Sequence, residues 1–384
     1  MIYYGRQSID QSDIDAVIEV LRSDFLTQGP AVETFERAAA AYAGAGYAAA
    51  VNSGTSALHI ACLAAGLGKG DLLWTSPNTF AASANCALYC GAAVDFVDID
   101  EVTYNLNVDL LEEKLKKSAA KPKIVLPVHF AGQSCDMERV AALAGKYGFT
   151  VIEDASHALG AGYKKDRVGG CQYSDMAVFS FHPVKIVTTG EGGMTLTNSE
   201  KLYERLRLFR SHGITREHGL MTREPDGPWY YEQTELGFNY RMTDIQAALG
   251  ASQLKRADEF VARRRRLAAR YGRLLADLPL CLPVEAEYAA SSWHIYVARL
   301  DFSKTGISKK DLFARMKEKG ITLNLHYIPV HLHPYYQKLG FLRGDFPASE
   351  KYYSEAFTLP LYCGLTDEQQ DYVAASLKDV LRGR

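Results

Sequence analysis

A lysine at position 185 stands between a strand-like run at 176–181 and the glycine-bearing turn Thr188-Thr-Gly-Glu-Gly-Gly193. An amine held at the mouth of a strand suits Schiff-base chemistry with an aldehyde. A second reactive group lies upstream, where the apolar run Phe149-Thr-Val-Ile stops abruptly at Glu153 and Asp154. In parallel α/β sheets such runs are buried strands, and ligands collect beyond their carboxyl ends. Asp154 is therefore expected to face a crevice. A carboxylate against a pyridine nitrogen keeps that ring protonated, and the pyridinium is the electron sink needed when a Cα proton departs. Lys185 and Asp154 together point to pyridoxal 5'-phosphate. Taken alone, an acid at a strand end is also an ordinary turn former.

A third element, Val51-Asn-Ser-Gly-Thr-Ser56, runs straight into an Ala/Leu helical pattern. Free N–H groups and the positive end of the dipole make a helix start an anion site, and Gly54 lets the backbone come close. Thr55 and Ser56 would then hold the phosphate, with Ser180 adding a hydroxyl. The other reading is a routine N-cap. Phe80 follows the loop signal Pro77-Asn78 and would either cover one face of the pyridine ring or pack in the core. His157, three residues after Asp154, would sit beside the ring, hydrogen-bond that carboxylate or serve as a structural histidine. His326, His331 and His333 could bind zinc, but Pro329 and Pro334 break the segment and favour a substrate loop. No metal is expected.

These residues need a scaffold that brings separate strand ends together. A chain of 384 residues is too long for a typical single core. Alternating helical and β-branched segments from about 12 to 240 predict α/β architecture, with a mostly parallel, doubly wound sheet between helices. The expected division is a large cofactor domain with an N-terminal arm over 1–245, a linking helix over 246–278, and a small α/β domain over 279–384. The linking helix starts at Thr243-Asp-Ile-Gln246, which has the capping-box pattern. In the small domain, strands are predicted at 293–300 and 321–325, and helices at 308–319 and 366–381.

Composition narrows the class. The formal net charge is −2, which gives no electrostatic footprint for nucleic acid. The basic run at 263–266 interrupts an Ala/Leu helical pattern and reads as a solvated helix face. Seven cysteines show no Cys-x-x-Cys pair, so free thiols in a reducing compartment are expected. No run reaches membrane-spanning length and the start has no leader pattern. The reading is a cytoplasmic protein without a membrane partner. No Gly-x-Gly-x-x-Gly follows the first strand, which argues against a nicotinamide dehydrogenase.

Five ordered segments, Phe25-Leu-Thr-Gln-Gly-Pro30, Asn52-Ser-Gly-Thr-Ser-Ala-Leu58, Glu153-Asp-Ala-Ser-His-Ala-Leu-Gly160, the stretch 179–193 and Leu236-Gly-Phe-Asn-Tyr-Arg-Met-Thr-Asp-Ile-Gln246, resemble the DegT/DnrJ/EryC1/StrS sugar aminotransferases. The resemblance runs from Tyr4 to about Leu381. It implies the fold of type I pyridoxal-phosphate enzymes, with pyridoxamine phosphate between the two half-reactions. Lys185 would be the Schiff-base lysine and proton shuttle, Asp154 the pyridinium partner, Phe80 the stacking aromatic, and Thr55, Ser56 and Ser180 phosphate ligands. It also implies a homodimer with shared sites, in which Asn239 touches the neighbour's phosphate and Arg241 approaches its substrate.

Within the family the chain is most similar to UDP-4-keto-6-deoxy-sugar 4-aminotransferases of pseudaminic acid biosynthesis. The segments Asp154-Ala-Ser-His-Ala-Leu-Gly160, Phe209-Arg-Ser-His-Gly213, Val128-His-Phe-Ala-Gly-Gln133 and His326-Tyr-Ile-Pro329 carry that likeness. It implies L-glutamate as amino donor and UDP-4-amino-4,6-dideoxy-N-acetyl-β-L-altrosamine as product, with Tyr4, Thr27, His326 and Tyr327 against the nucleotide-sugar. A C3 aminotransferase, an enzyme for a dTDP- or GDP-linked sugar, and a non-catalytic relative that binds the cofactor are the alternatives. An intact Lys185 argues against the sugar dehydratases in which histidine replaces it.

Overall fold

Short runs of Ala, Val, Leu and Ile can be buried on both faces only where helices cover both sides of a sheet. The computed structural model, which describes residues 1–383, has that arrangement. Among the described residues, the main sheet has seven strands: β1 (Tyr47–Val51), β2 (Leu72–Thr75), β3 (Ala93–Phe96), β4 (Ile124–Leu126), β5 (Thr150–Asp154), β6 (Met176–Ser180) and β7 (Gly193–Thr197). Their order is β1-β7-β6-β5-β4-β2-β3. All neighbours pair in parallel except β7, which runs antiparallel to both β1 and β6. The mostly parallel sheet anticipated from the sequence is thus present. Strand ends β5 and β6 lie side by side, which brings Asp154 and Ser180 to one edge.

The C-terminal third builds its own apolar cluster. There the helix Ala257–Leu274 packs with β8 (Tyr296–Arg299), β9 (Ala356–Leu359) and the helices Lys309–Glu318 and Asp367–Leu381. The N-terminal residues are stitched onto this part. Ile2 donates its N–H to the Gly320 carbonyl and accepts from Thr322 N–H, both at 2.8 Å, and Leu361 N–H reaches the Tyr4 carbonyl at 3.0 Å. Tyr4 is thereby set over the edge of the main sheet where β5 and β6 end.

Two local expectations differ from what forms. The single helix read over 246–278 is broken into Asp244–Leu254 and Ala257–Leu274. Its capping box does form, with Gln246 N–H on Thr243 Oγ1 at 3.2 Å and Thr243 N–H on Gln246 Oε1 at 3.0 Å. At Arg256 the backbone leaves helical geometry, and its guanidinium pairs with Asp10 and Asp13 near the N-terminal helix. Asp258 and Glu259 then sit in the first turn of the second helix, where the dipole favours acids. Residues 321–325 form isolated bridges, Ile2 with Ile321 and Asn324 with Thr358, and no continuous strand. The strand that pairs with Tyr296–Arg299 is Ala356–Leu359. Only four residues long and closed by Pro360, it carries too little alternation to be read from sequence.

Candidate active site

At the carboxyl ends of β5 and β6 a cavity of about 400 Å³ opens between the main sheet and the C-terminal part. Asp154 reaches it from the last position of β5, 4% exposed. Strand alternation sends the adjacent Glu153 to the other face, where His129 Nε2 at 2.6 Å and the Ser174 hydroxyl hold it. Asp154 Oδ1 accepts Ser156 N–H at 3.1 Å, and Oδ2 accepts the Ser83 hydroxyl at 2.6 Å.

Lys185 lies in the same wall, three residues past His182, whose carbonyl accepts its N–H at 2.9 Å. Loss of hydration in the crevice lowers its ammonium pKa to about 8, partly offset by the Asp154 charge. A depressed lysine is a nucleophile and a proton carrier near neutral pH. Among the described residues lining this cavity, Lys185 is the one lysine and there is no arginine.

The floor is the first turn of the helix Gly54–Ala64. Ser53 caps it by accepting Ser56 N–H at 3.1 Å, leaving the Gly54 and Thr55 amides at its open end. A Cβ on Gly54 would lie 2.9 Å from Ser180 Cβ, so only glycine lets this turn press against β6. Ser53, Gly54, Thr55 and Ser180 line the cavity. Ser56 lies behind it, its hydroxyl bonded to Asn52 Oδ1 at 2.7 Å and to Ser53 Oγ at 2.9 Å.

The remaining wall is aromatic. Phe80 is 61% exposed and lines the cavity, which rules out the core-packing reading. His157 Nε2 lies 3.0 Å from Tyr327 Oη, and its Nδ1 is buried with no partner. Burial, with smaller effects of the Lys185 and His326 charges, drives its pKa well below the ordinary value, so the ring is neutral. His326 bonds Thr358 Oγ1 at 2.8 Å and is lowered to about 3, by burial first and Lys185 second. Burial raises the Tyr327 phenol, keeping it a neutral donor. The Tyr4 ring lies 5.3 Å from that of His326, tilted by 58°.

Nine of the thirteen residues singled out from the sequence therefore converge: Tyr4, Thr55, Phe80, Asp154, His157, Ser180, Lys185, His326 and Tyr327. Besides Ser56, three lie apart within one chain. Thr27 is bridged to Thr243, Asn239 to Ser211, and Arg241 to Val51. Arg241 lines a different cavity with Arg207 and Arg210. His331, from the candidate zinc group, is buried against Glu350 Oε1 at 2.9 Å. Sequence reasoning missed Ser83, His294 and Asn324. The His294 ring lies 4.4 Å from that of His157, tilted by 47°, and its Nδ1 has no partner. Asn324 precedes His326 by two positions, and its Nδ2 lies 3.3 Å from His326 Nε2.

These groups fit pyridoxal phosphate. The glycine turn presses against Ser180 with no room for a Cβ, the buried His157 Nδ1 lacks a partner, and the Lys185 amine, the Asp154 carboxylate and the exposed Phe80 ring share a single cavity. Fold and site together define an α/β enzyme of the pyridoxal-phosphate class. The sequence profile of the DegT/DnrJ/EryC1/StrS aminotransferase family matches residues 7–378, and the chain belongs to that family. It is 39% identical over 383 residues to the spore coat polysaccharide biosynthesis protein SpsC of Bacillus subtilis, covering 99% of this chain and 97% of that one. It is 36% identical over 384 residues to a UDP-4-amino-4,6-dideoxy-N-acetyl-β-L-altrosamine transaminase of Campylobacter jejuni, covering 99% and 98%. Among solved structures, Helicobacter pylori PseC, an aminotransferase involved in the biosynthesis of pseudoaminic acid, superposes with a TM-score of 0.91 at 31% identity over 100% of both chains. The pyridoxamine phosphate form of the putative sugar aminotransferase Spr1654 of Streptococcus pneumoniae gives 0.90 at 28% identity over 99% of each. The chain is a pyridoxal-phosphate-dependent sugar aminotransferase.

Proposed function

We propose that this enzyme moves the amino group of L-glutamate to C4 of a UDP-4-keto-6-deoxy-N-acetylhexosamine, giving UDP-4-amino-4,6-dideoxy-N-acetyl-β-L-altrosamine for pseudaminic acid synthesis in the cytoplasm. The observation that carries the transamination chemistry is the convergence of Lys185 and Asp154 on one cavity that the start of the helix Gly54–Ala64 also lines. The substrate assignment rests on the 36% identity to the altrosamine transaminase along almost the whole chain.

When bound, pyridoxal phosphate supplies a carbonyl to take up the amino group and a cationic ring to delocalise the electrons left by a departing Cα proton. Gly54, Thr55, Ser53 and Ser180 hold its phosphate. Asp154 accepts from the ring nitrogen, and Phe80 covers one ring face. Lys185 would hold the cofactor at rest, and its Nζ, when free, would take the proton from the glutamate Cα. With the sugar the same Nζ delivers a proton to C4. His157, His326 and Tyr327 are neutral, so they orient the substrate by hydrogen bonds without a competing positive charge beside Lys185.

The substrate diphosphate and the glutamate carboxylates need cations that this wall lacks, since its one Lys or Arg side chain is Lys185, whose ammonium pKa is lowered to about 8. We assign that task to Arg241, and a phosphate contact to Asn239, from a second copy in a homodimer. Tyr4, Thr27, His326 and Tyr327 contact the nucleotide-sugar. A different nucleotide-sugar is the second reading, favoured by the 39% identity to the spore coat polysaccharide protein. Incubation with L-glutamate and matched UDP-, dTDP- and GDP-linked keto sugars, with products identified by mass spectrometry and NMR, decides between them. The UDP-linked 4-keto sugar is expected to react with the highest kcat/KM; preference for another nucleotide, or amination at C3, would overturn the assignment.

A further inference from the structure

Asp154 is not held by its own strand alone. Its Oδ2 receives the hydroxyl of Ser83, a residue 71 positions earlier on the helix Ala82–Tyr89, at 2.6 Å. Ser83 is fully buried, and its Oγ lies 2.7 Å from Thr79 Oγ1, itself 2% exposed. Donor arithmetic fixes the direction of this chain. An ionised carboxylate only accepts, so the single Ser83 proton goes to Asp154, and Thr79 must donate to Ser83. The hydroxyls run Thr79 to Ser83 to Asp154.

Serines within helices usually bond back to a carbonyl of their own helix. Ser83 instead spans from helix to sheet, and its own N–H closes a turn on the Phe80 carbonyl at 3.1 Å. One turn of chain therefore presents Phe80 to the cavity and Ser83 to the carboxylate. Asp154 Oδ1 has only Ser156 N–H, at 3.1 Å, so lone pairs remain on the cavity side.

We propose that Ser83, oriented by Thr79, is a positioning residue that fixes the Asp154 carboxylate and sets how strongly it holds a proton on the cofactor's ring nitrogen. The proposal rests on the reading that Asp154 faces that nitrogen. A hydrogen bond to the charged form of a carboxylate makes it a weaker base. With Ser83 in place the shared proton stays on the ring, as the electron sink requires. Without it Asp154 becomes more basic and the proton shifts toward the carboxylate.

The test reconstitutes wild type, Ser83→Ala, Thr79→Val and Asp154→Asn with pyridoxal phosphate carrying ¹⁵N in the ring and reads the ¹⁵N chemical shift. Single-turnover rates with L-glutamate and melting temperatures are read alongside. Asp154→Asn is expected to move the resonance to the unprotonated position. Ser83→Ala should move it part of the way in the same direction and slow the glutamate half-reaction by about tenfold to a hundredfold, the loss of one charge-assisted hydrogen bond. Thr79→Val should give a smaller shift of the same sign. If Asp154→Asn moves the resonance while Ser83→Ala and Thr79→Val leave it in place, Ser83 is only a structural tie and the proposal fails. A resonance unmoved by Asp154→Asn overturns the reading of Asp154, and this inference with it.

Discussion

Lys185 is useful because the crevice strips water from it. An ordinary lysine titrates near 10.5, whereas desolvation brings this one to about 8 despite the opposing pull of Asp154. Only the neutral amine attacks an aldehyde. The rate at which apo-protein captures pyridoxal phosphate should therefore rise about tenfold per pH unit below that value and level off above it. Stopped-flow absorbance between pH 6 and about 10 checks this; a rate still climbing tenfold per unit at the upper end would mean that Lys185 is solvated. At this scale the sequence is informative where chemistry and strand geometry coincide. Asp154 closes one strand and Lys185 lies five residues past the end of its neighbour, and Phe80, His157 and Ser180 lie within five residues of a legible loop or strand end. Ser83 and His294 were hidden because nothing in their own segments marks them. Ser83 looks like any small residue in an Ala-rich helix, and only the packing of that helix on the sheet gives it Asp154 as a partner.

The helix Gly54–Ala64 shows how an element positions a ligand with backbone as much as with side chains. Its capping serine and closely pressed glycine leave the first amides pointing at the cavity. Gly54→Ala places a Cβ 2.9 Å from Ser180 Cβ, and both atoms are anchored by backbone, so the turn must back away. Cofactor affinity measured by equilibrium dialysis should weaken by about tenfold to a hundredfold, the effect of about 1–3 kcal/mol of overpacking strain, while Thr55→Ser should bind near wild type. Unchanged affinity in Gly54→Ala would show that the phosphate binds elsewhere. The sequence allowed both a phosphate site and an ordinary N-cap here, and the structure uses Ser53 as the cap and turns Ser56 inward to support it. The break near Arg256 was illegible for a related reason. Helical periodicity continues across it, and the salt bridges to Asp10 and Asp13 come from the far end of the chain.

At the scale of the whole molecule, one chain supplies most of a site. Thr27, Asn239 and Arg241 stand away from the cavity, on segments that also expose Phe25, Leu26 and, at 79%, Leu236 to solvent. These exposed apolar side chains are ones that the proposed homodimer would cover. Mixing Lys185→Ala with Arg241→Ala, each inactive alone, should then restore about a quarter of wild-type activity, because half the dimers are mixed and each of those has one intact site. No restoration would place Arg241 outside the partner's site. The resemblance was legible along the chain because its motifs are local, whereas assembly is a property of surfaces that sequence order scatters. The central claim, that Lys185 and Asp154 run transamination between L-glutamate and a UDP-linked 4-keto sugar, is tested most directly by the visible spectrum of the reconstituted enzyme. Yellow colour that bleaches on adding L-glutamate and returns on adding UDP-4-keto-6-deoxy-N-acetylhexosamine, and that is absent in Lys185→Ala, is the predicted result. A protein that stays colourless with pyridoxal phosphate, or whose colour survives glutamate unchanged, would contradict it.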